Sequence, residues 1–192
     1  MHLANHTGVW WAILGLSVLT DFLFLPIAWA LYIALKDFQK HIILAGVVFL
    51  LLFIFMDLAV TWPNYASLIQ LGGRYAQTAD EALRAPVVTA AVYAYEVLSS
   101  WLFGVYTILV PAIGIALCGI AMLHGAFGKA TAYLGIATGV LGFISVAGPF
   151  FLPTLGMTAI ITSVFTLLWI VLAGLTLMKL GSAKWVGKGP AT

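Results

Sequence analysis

From Trp10 to Leu35 the chain reads WWAILGLSVLTDFLFLPIAWALYIAL, an apolar run with one charged side chain, Asp21. A helix rises ~1.5 Å per residue and the hydrocarbon core of a bilayer is about 30 Å thick, so a run of this length crosses a membrane once. Comparable runs follow at about 42–62, 101–123, 130–148 and 155–178, separated by short polar breaks such as KDFQKH. Inside lipid the backbone amides of such a segment must be satisfied within it, which makes each run a helix. The expectation is an all-α fold: a polytopic transmembrane helical bundle of about five spans. It forms one integral membrane domain over residues 1–192, multi-pass in the cell membrane and surrounded by lipid.

Composition leaves little room for anything else. Hydrophobic residues make up 64% of the chain and charged residues 7%, against about a quarter charged in a soluble domain. A formal net charge of +2, scattered along the chain, argues against a nucleic-acid partner. Cys118 is the single cysteine, which excludes an internal disulfide, a CxxC redox pair and a cysteine metal cage. Its place inside an apolar run reads as packing. Ala28–Ala30 has the small-x-small look of a signal-peptide cleavage site. The preceding MHLANHTGVW carries no Lys or Arg, however, and the apolar run is too long for a signal, so it reads as a retained first helix.

The stretch 63–100 is less oily and is expected to form an outer-side loop and amphipathic helix. Within it TADE has the form of a capping box, with Thr78 and Glu81 satisfying each other's amides. That starts a helix near Ala79, which Pro86 is expected to kink. Five spans place the termini on opposite sides of the membrane. Lys36, Lys40, Lys129, Lys179, Lys184 and Lys188 then share one side, while the other keeps Arg74 and Arg84, offset by Asp80 and Glu81. The positive-inside rule puts the N-terminus outside and the C-terminus in the cytoplasm. Splitting residues 87–124 into two spans would scatter the lysines over both faces.

Trp10, Trp11, Trp62 and Trp101, with Tyr65, Tyr75, Tyr93 and Tyr95, fall at the outer boundary of this topology. They form either an interfacial belt or the wall of a vestibule. Gly135 and Gly139 make a GxxxG face that lets another helix approach closely. That helix belongs either to the same chain or to a second protomer or larger membrane complex.

Asp21 and Asp57 are the residues a membrane span should not tolerate without cause. At ~1.5 Å per residue both lie a little over 20 Å above the cytoplasmic ends of neighbouring antiparallel spans. Ser17 and Thr61 stand one turn away on the same faces, and Thr107, Ser145, Thr162 and Ser163 reach similar depth on the other spans. The expectation is a polar layer in the outer half in which the two aspartates meet. They would bind a ligand or cation, share a proton, or simply hold helices together through hydroxyl contacts. Thr89, Tyr93, Glu96 and Ser100 form one helical stripe, placing Glu96 at the outer interface above the layer, with Tyr93 and Trp101 as π faces for an entering cation. The alternative for Glu96 is an ordinary acid at the water boundary.

His2 and His6 have chelating spacing but sit at the chain end, His41 and His124 suit span ends, and the sequon Asn5–Thr7 would face outward. No histidine or lysine lies mid-span, which argues against bis-His haem and a retinal-type Schiff base. No phosphate loop, metalloprotease motif or nucleophile elbow is present, and no arginine sits in a span. No metal, cofactor or catalytic residue is expected.

TADEALR, HGAFGKATAYLGIATGVLG and LLWIVLAGLTLMKLG resemble a group of small prokaryotic polytopic membrane proteins classed as a domain of unknown function. The resemblance runs from about Leu31 onward, with Pro86 as a departure, and implies a compact helical bundle without an assigned activity. Two functions follow from the residues. In one, the protein binds or passes a small ligand, ion or proton through Asp21, Asp57 and Glu96, with Ser17, Thr61, Tyr93, Trp101 and Thr107 around them. In the other it is an accessory or assembly subunit of a larger complex. A lipid-modifying enzyme using the two acids stands further off.

Overall fold

The structure, a computed structural model, describes residues 7–186, which are helical nearly throughout. The N-terminal His2, Asn5 and His6 and the C-terminal Lys188 lie outside the described residues. Helix α1 (Thr7–Met56) leaves helical geometry at one residue, Gln39, with φ −145° and ψ 62°. This is the polar break between the first two apolar runs, and the chain doubles back there. Trp62 hydrogen-bonds Asp21, 41 residues earlier, a separation that a straight helix would stretch to about 60 Å.

Asp21 precedes Gln39 by as many residues as Asp57 follows it, so the hairpin puts the two acids at one level. A wide turn at Asp57–Thr61 leads into α2 (Trp62–Gln77), which pairs with α3 (Glu81–Ser99) as a second hairpin. Next come α4 (Trp101–Gly104), another wide turn at Val105–Leu109 and α5 (Val110–Met122), forming one rod. Helices α6 (Lys129–Ala147) and α7 (Thr158–Val186) complete the bundle. Four helical segments are long and apolar enough to cross a membrane. Because the first of them folds at Gln39, five apolar rods stand side by side.

Two local expectations are corrected. Asp80, not Thr78, caps α3, its carboxylate accepting from the Ala82 amide at 2.9 Å. Thr78 donates its hydroxyl to Arg74 O at the end of α2, so the Thr78–Glu81 box does not form. The intervening linker is short enough that Thr78 serves the preceding helix and leaves the following one to its nearer neighbour. Helix α3 also continues through Pro86 without interruption.

Lipid gives no hydrophobic drive between helices, so rods associate by close packing. Here glycine supplies it. A methyl group added to Gly119 would stand 2.7 Å from Ala132 O, one on Gly135 3.1 Å from Ile115 O, and one on Gly139 would collide with Ala116. The GxxxG face of α6 is thus occupied by α5 of the same chain. Gly46 and Gly114 face each other in the same way, each 3.0 Å from the other's carbonyl oxygen if given a Cβ. Around this seam pack Leu31, Leu35, Ile43, Val47, Ile115, Cys118, Met122 and Trp169, all in the half of the bundle near Gln39. The turn after α5 joins them, since Gly125 lies against Leu35 and Phe38. The bundle is solid at the Gln39 end. Its other half is hollow.

Candidate functional site

The hollow half owes its form to two prolines. Pro63 and Pro111 have no N–H to continue a helical ladder, and each ring crowds the carbonyl four residues back. In both places the preceding turn widens: the amide of Trp62 bonds Asp57 O and that of Val110 bonds Val105 O, five residues back. Each wide turn ends two residues before its proline. Such π-helical turns push side chains out of the regular register and gather at functional sites. Here they face each other, because the buried Thr61 hydroxyl from one turn donates to Tyr106 Oη from the other at 3.2 Å.

Asp57 opens into a cavity of about 580 Å³ lined by Trp10, Ile13, Leu14, Phe53, Thr61, Trp62, Tyr65, Leu68, Ile69, Phe103 and Thr107. The carboxylate is 6% exposed, and its Oδ1 has no hydrogen-bond partner. Asp21, 5% exposed, borders a different cavity of about 390 Å³ with Ser17, Thr20, Thr162, Ser163 and Thr166. Its Oδ2 accepts from Trp62 Nε1 at 2.5 Å. Phe53, Trp62 and Thr107 border both cavities and form the partition.

The structure therefore brings the two aspartates to one level without joining them: no hydrogen bond links the carboxylates among the described residues, and the indole of Trp62 serves Asp21. The expected hydroxyl support also goes elsewhere. Ser17 donates to Ile13 O and Thr107 to Phe103 O, so neither serves a carboxylate, while Thr61 donates to Tyr106 and lies beside the Asp57 carboxylate. Ser145 lies within hydrogen-bond distance of Thr158 and Thr162, at 2.9 and 3.1 Å, a contact that ties α6 to α7.

Glu96 and Tyr93 are exposed and line a groove of about 730 Å³ with Met56, Val60 and Tyr106, on the far side of the Thr61–Tyr106 contact. Glu96 therefore does not overlook the aspartates. Trp101 is further removed: its indole donates to Val146 O at 3.4 Å and its ring meets Phe150 edge-on at 5.4 Å. Which neighbour each member of the stripe on α3 faces depends on how the second hairpin leans.

The aromatic set divides in a similar way. Trp10, Trp62 and Tyr65 wall the Asp57 cavity, Trp10 and Tyr65 from partly exposed positions, whereas Tyr93, Tyr95 and Trp101 are more exposed and line no part of it. Tyr106 and Phe53 were missed by sequence reasoning; the repeated proline two residues past a wide turn was the signal that could have found Tyr106.

Comparisons with family models, with curated proteins and with solved structures yield no match. The fold itself defines the class. A bundle of long apolar helices, with Leu16, Trp29, Phe55, Phe143, Leu167 and Met178 exposed around its girth, is that of a membrane-embedded protein.

Proposed function

We propose that this membrane protein binds a small ligand in the cavity headed by Asp57, the carboxylate serving as the anchoring group. One observation carries the reading: a buried carboxylate with one oxygen left without a partner, on a residue that lines a mostly apolar cavity. Leaving such a group unsatisfied costs several kcal/mol in an apolar setting, a cost that a bound donor removes. Cavity volumes of about 300–1,000 Å³ suit small organic molecules.

Binding fits better than open passage. The half of the bundle around Gln39 is close-packed, with Leu31, Leu35, Ile43, Ile115 and Met122 essentially inaccessible. Ion or proton flux would have to part that core. The lysines Lys36, Lys40 and Lys129 gather at the same solid end, while Arg74, Asp80, Glu81 and Arg84 mark the other. By the positive-inside rule the hollow half lies toward the outer face of the cell membrane.

The test is a thermal-shift screen of small amphiphiles against the purified protein and against Leu14→Trp, which sets a bulkier ring in the cavity lining. A binder at about 100 times its Kd adds roughly 2.7 kcal/mol, or at least about 5 °C for a chain of this size. The wild type should show such shifts and Leu14→Trp should not. Equal shifts in both, or none in either, overturn the proposal.

A further inference from the structure

We infer that the Asp57 cavity takes a singly charged organic ammonium carrying an apolar body. The inference rests on the binding site proposed above and names the chemistry of its occupant.

The donors around the cavity are already committed. Trp62 gives its N–H to Asp21, Thr61 its O–H to Tyr106, and Thr107 its O–H to Phe103 O. What the lining holds is acceptor capacity: the carboxylate of Asp57, whose buried Oδ1 has no partner, and the hydroxyl lone pairs of Thr61 and Thr107. Tyr65, 40% exposed, keeps the remaining hydroxyl. A carboxylate or phosphate ligand would find acceptors where it needs donors, and would lie against the charge of Asp57. A ligand bearing N–H groups meets the inventory.

Charge and size narrow the class further. One carboxylate balances one positive charge. A divalent metal ion would want six or more oxygens, or a tetrahedral nitrogen and sulfur set, and the cavity offers neither. A bare proton would neutralise Asp57 and leave about 580 Å³ unfilled. The walls suit an organic cation: Trp10, Phe53, Trp62, Tyr65 and Phe103 bring five aromatic rings to the lining. Aromatic faces attract ammonium groups, more strongly where water is excluded, and their bulk accepts an apolar tail.

The test uses three probes with the head group on the same four-carbon tether: phenylbutylammonium, phenylbutanol and phenylpentanoate. Each is titrated into the full-length protein in lipid nanodiscs while tryptophan fluorescence is followed. Leu14→Trp protein gives the background from partition into lipid. The ammonium should bind about 10- to 100-fold more tightly than the alcohol, the range expected of a hydrogen bond to a charged group, and the carboxylate should not bind. Asp57→Asn should erase the preference, and an unchanged far-ultraviolet circular dichroism spectrum and size-exclusion profile show that the variant is folded. If alcohol and ammonium bind wild type equally, or Asp57→Asn keeps the preference, the ammonium assignment is wrong and the cavity remains a binding site. If no probe binds above the Leu14→Trp background, the binding site falls and the assignment with it.

Discussion

The Thr61 hydroxyl meets the Tyr106 hydroxyl at 3.2 Å, joining the wide turn before Pro63 to the wide turn before Pro111. This contact is the wall between the Asp57 cavity and the groove that holds Glu96. Tyr106→Phe removes one oxygen and with it the Thr61–Tyr106 bond. Interhelical hydrogen bonds in membrane bundles contribute about 0.6 kcal/mol on average, so stability should fall by no more than about 1.5 kcal/mol. The larger effect should be on access. A cysteine placed at Val60, in the Glu96 groove, should become protectable from a thiol reagent by a ligand bound at Asp57 in Tyr106→Phe and not in the parent.

The two prolines should matter more to the site than to stability. Pro63→Ala restores an amide donor and lets the preceding turn close to ordinary helical spacing. Asp57 and Thr61 then rotate away from the cavity. Ligand-dependent thermal stabilisation should be lost while the unliganded melting temperature stays level or rises. Unchanged ligand response would show that the wide turn does not depend on the proline.

Trp62 is expected to be structural through its nitrogen and not only its ring. Trp62→Phe keeps the aromatic partition but strips Asp21 of its donor. A buried carboxylate losing that bond should destabilise the protein by about 1–3 kcal/mol. Asp21→Asn, which removes the charge, should recover most of the loss in the Trp62→Phe background. Denaturation of the four proteins in a double-mutant cycle checks this, and simple additivity would refute it.

The glycines give a prediction with an internal control. Gly139→Ala drives a methyl group into Ala116, and Gly119→Ala sets one 2.7 Å from Ala132 O, backbone that cannot turn aside. Both should lower the yield of folded, monodisperse protein. Gly15→Ala and Gly174→Ala meet nothing within 4 Å and should be neutral or slightly stabilising. Size-exclusion profiles of the four variants distinguish the groups.

How much of this was legible beforehand follows from which forces act locally. The apolar runs mark the rods because bilayer thickness sets their length, and the break at KDFQKH marks the reversal at Gln39. The common level of Asp21 and Asp57 follows from counting along antiparallel helices. Their separation by Trp62 did not. A tryptophan near the end of an apolar run is ordinarily an interfacial residue, and the wide turn that swings this one inward needs Pro63 and the facing turn of another rod. The hydroxyls misled for a related reason: a serine or threonine in a helix can reach its own carbonyl four residues back, as Ser17 and Thr107 do. Glu96 shares a groove with Tyr93, while Thr89 lines another and Ser100 lies past the end of α3; tertiary lean decides whether a stripe looks into a bundle or past it.

The meeting of Gly46 with Gly114 and of Gly119 with α6 brings main chain against main chain. Rods held that tightly cannot slide or twist past one another without collision, so they behave as a single braced slab. Any breathing that admits or releases an occupant must fall to the pieces left outside it: the leading turns of α1 and the α2–α3 hairpin, swinging like a door on a fixed frame.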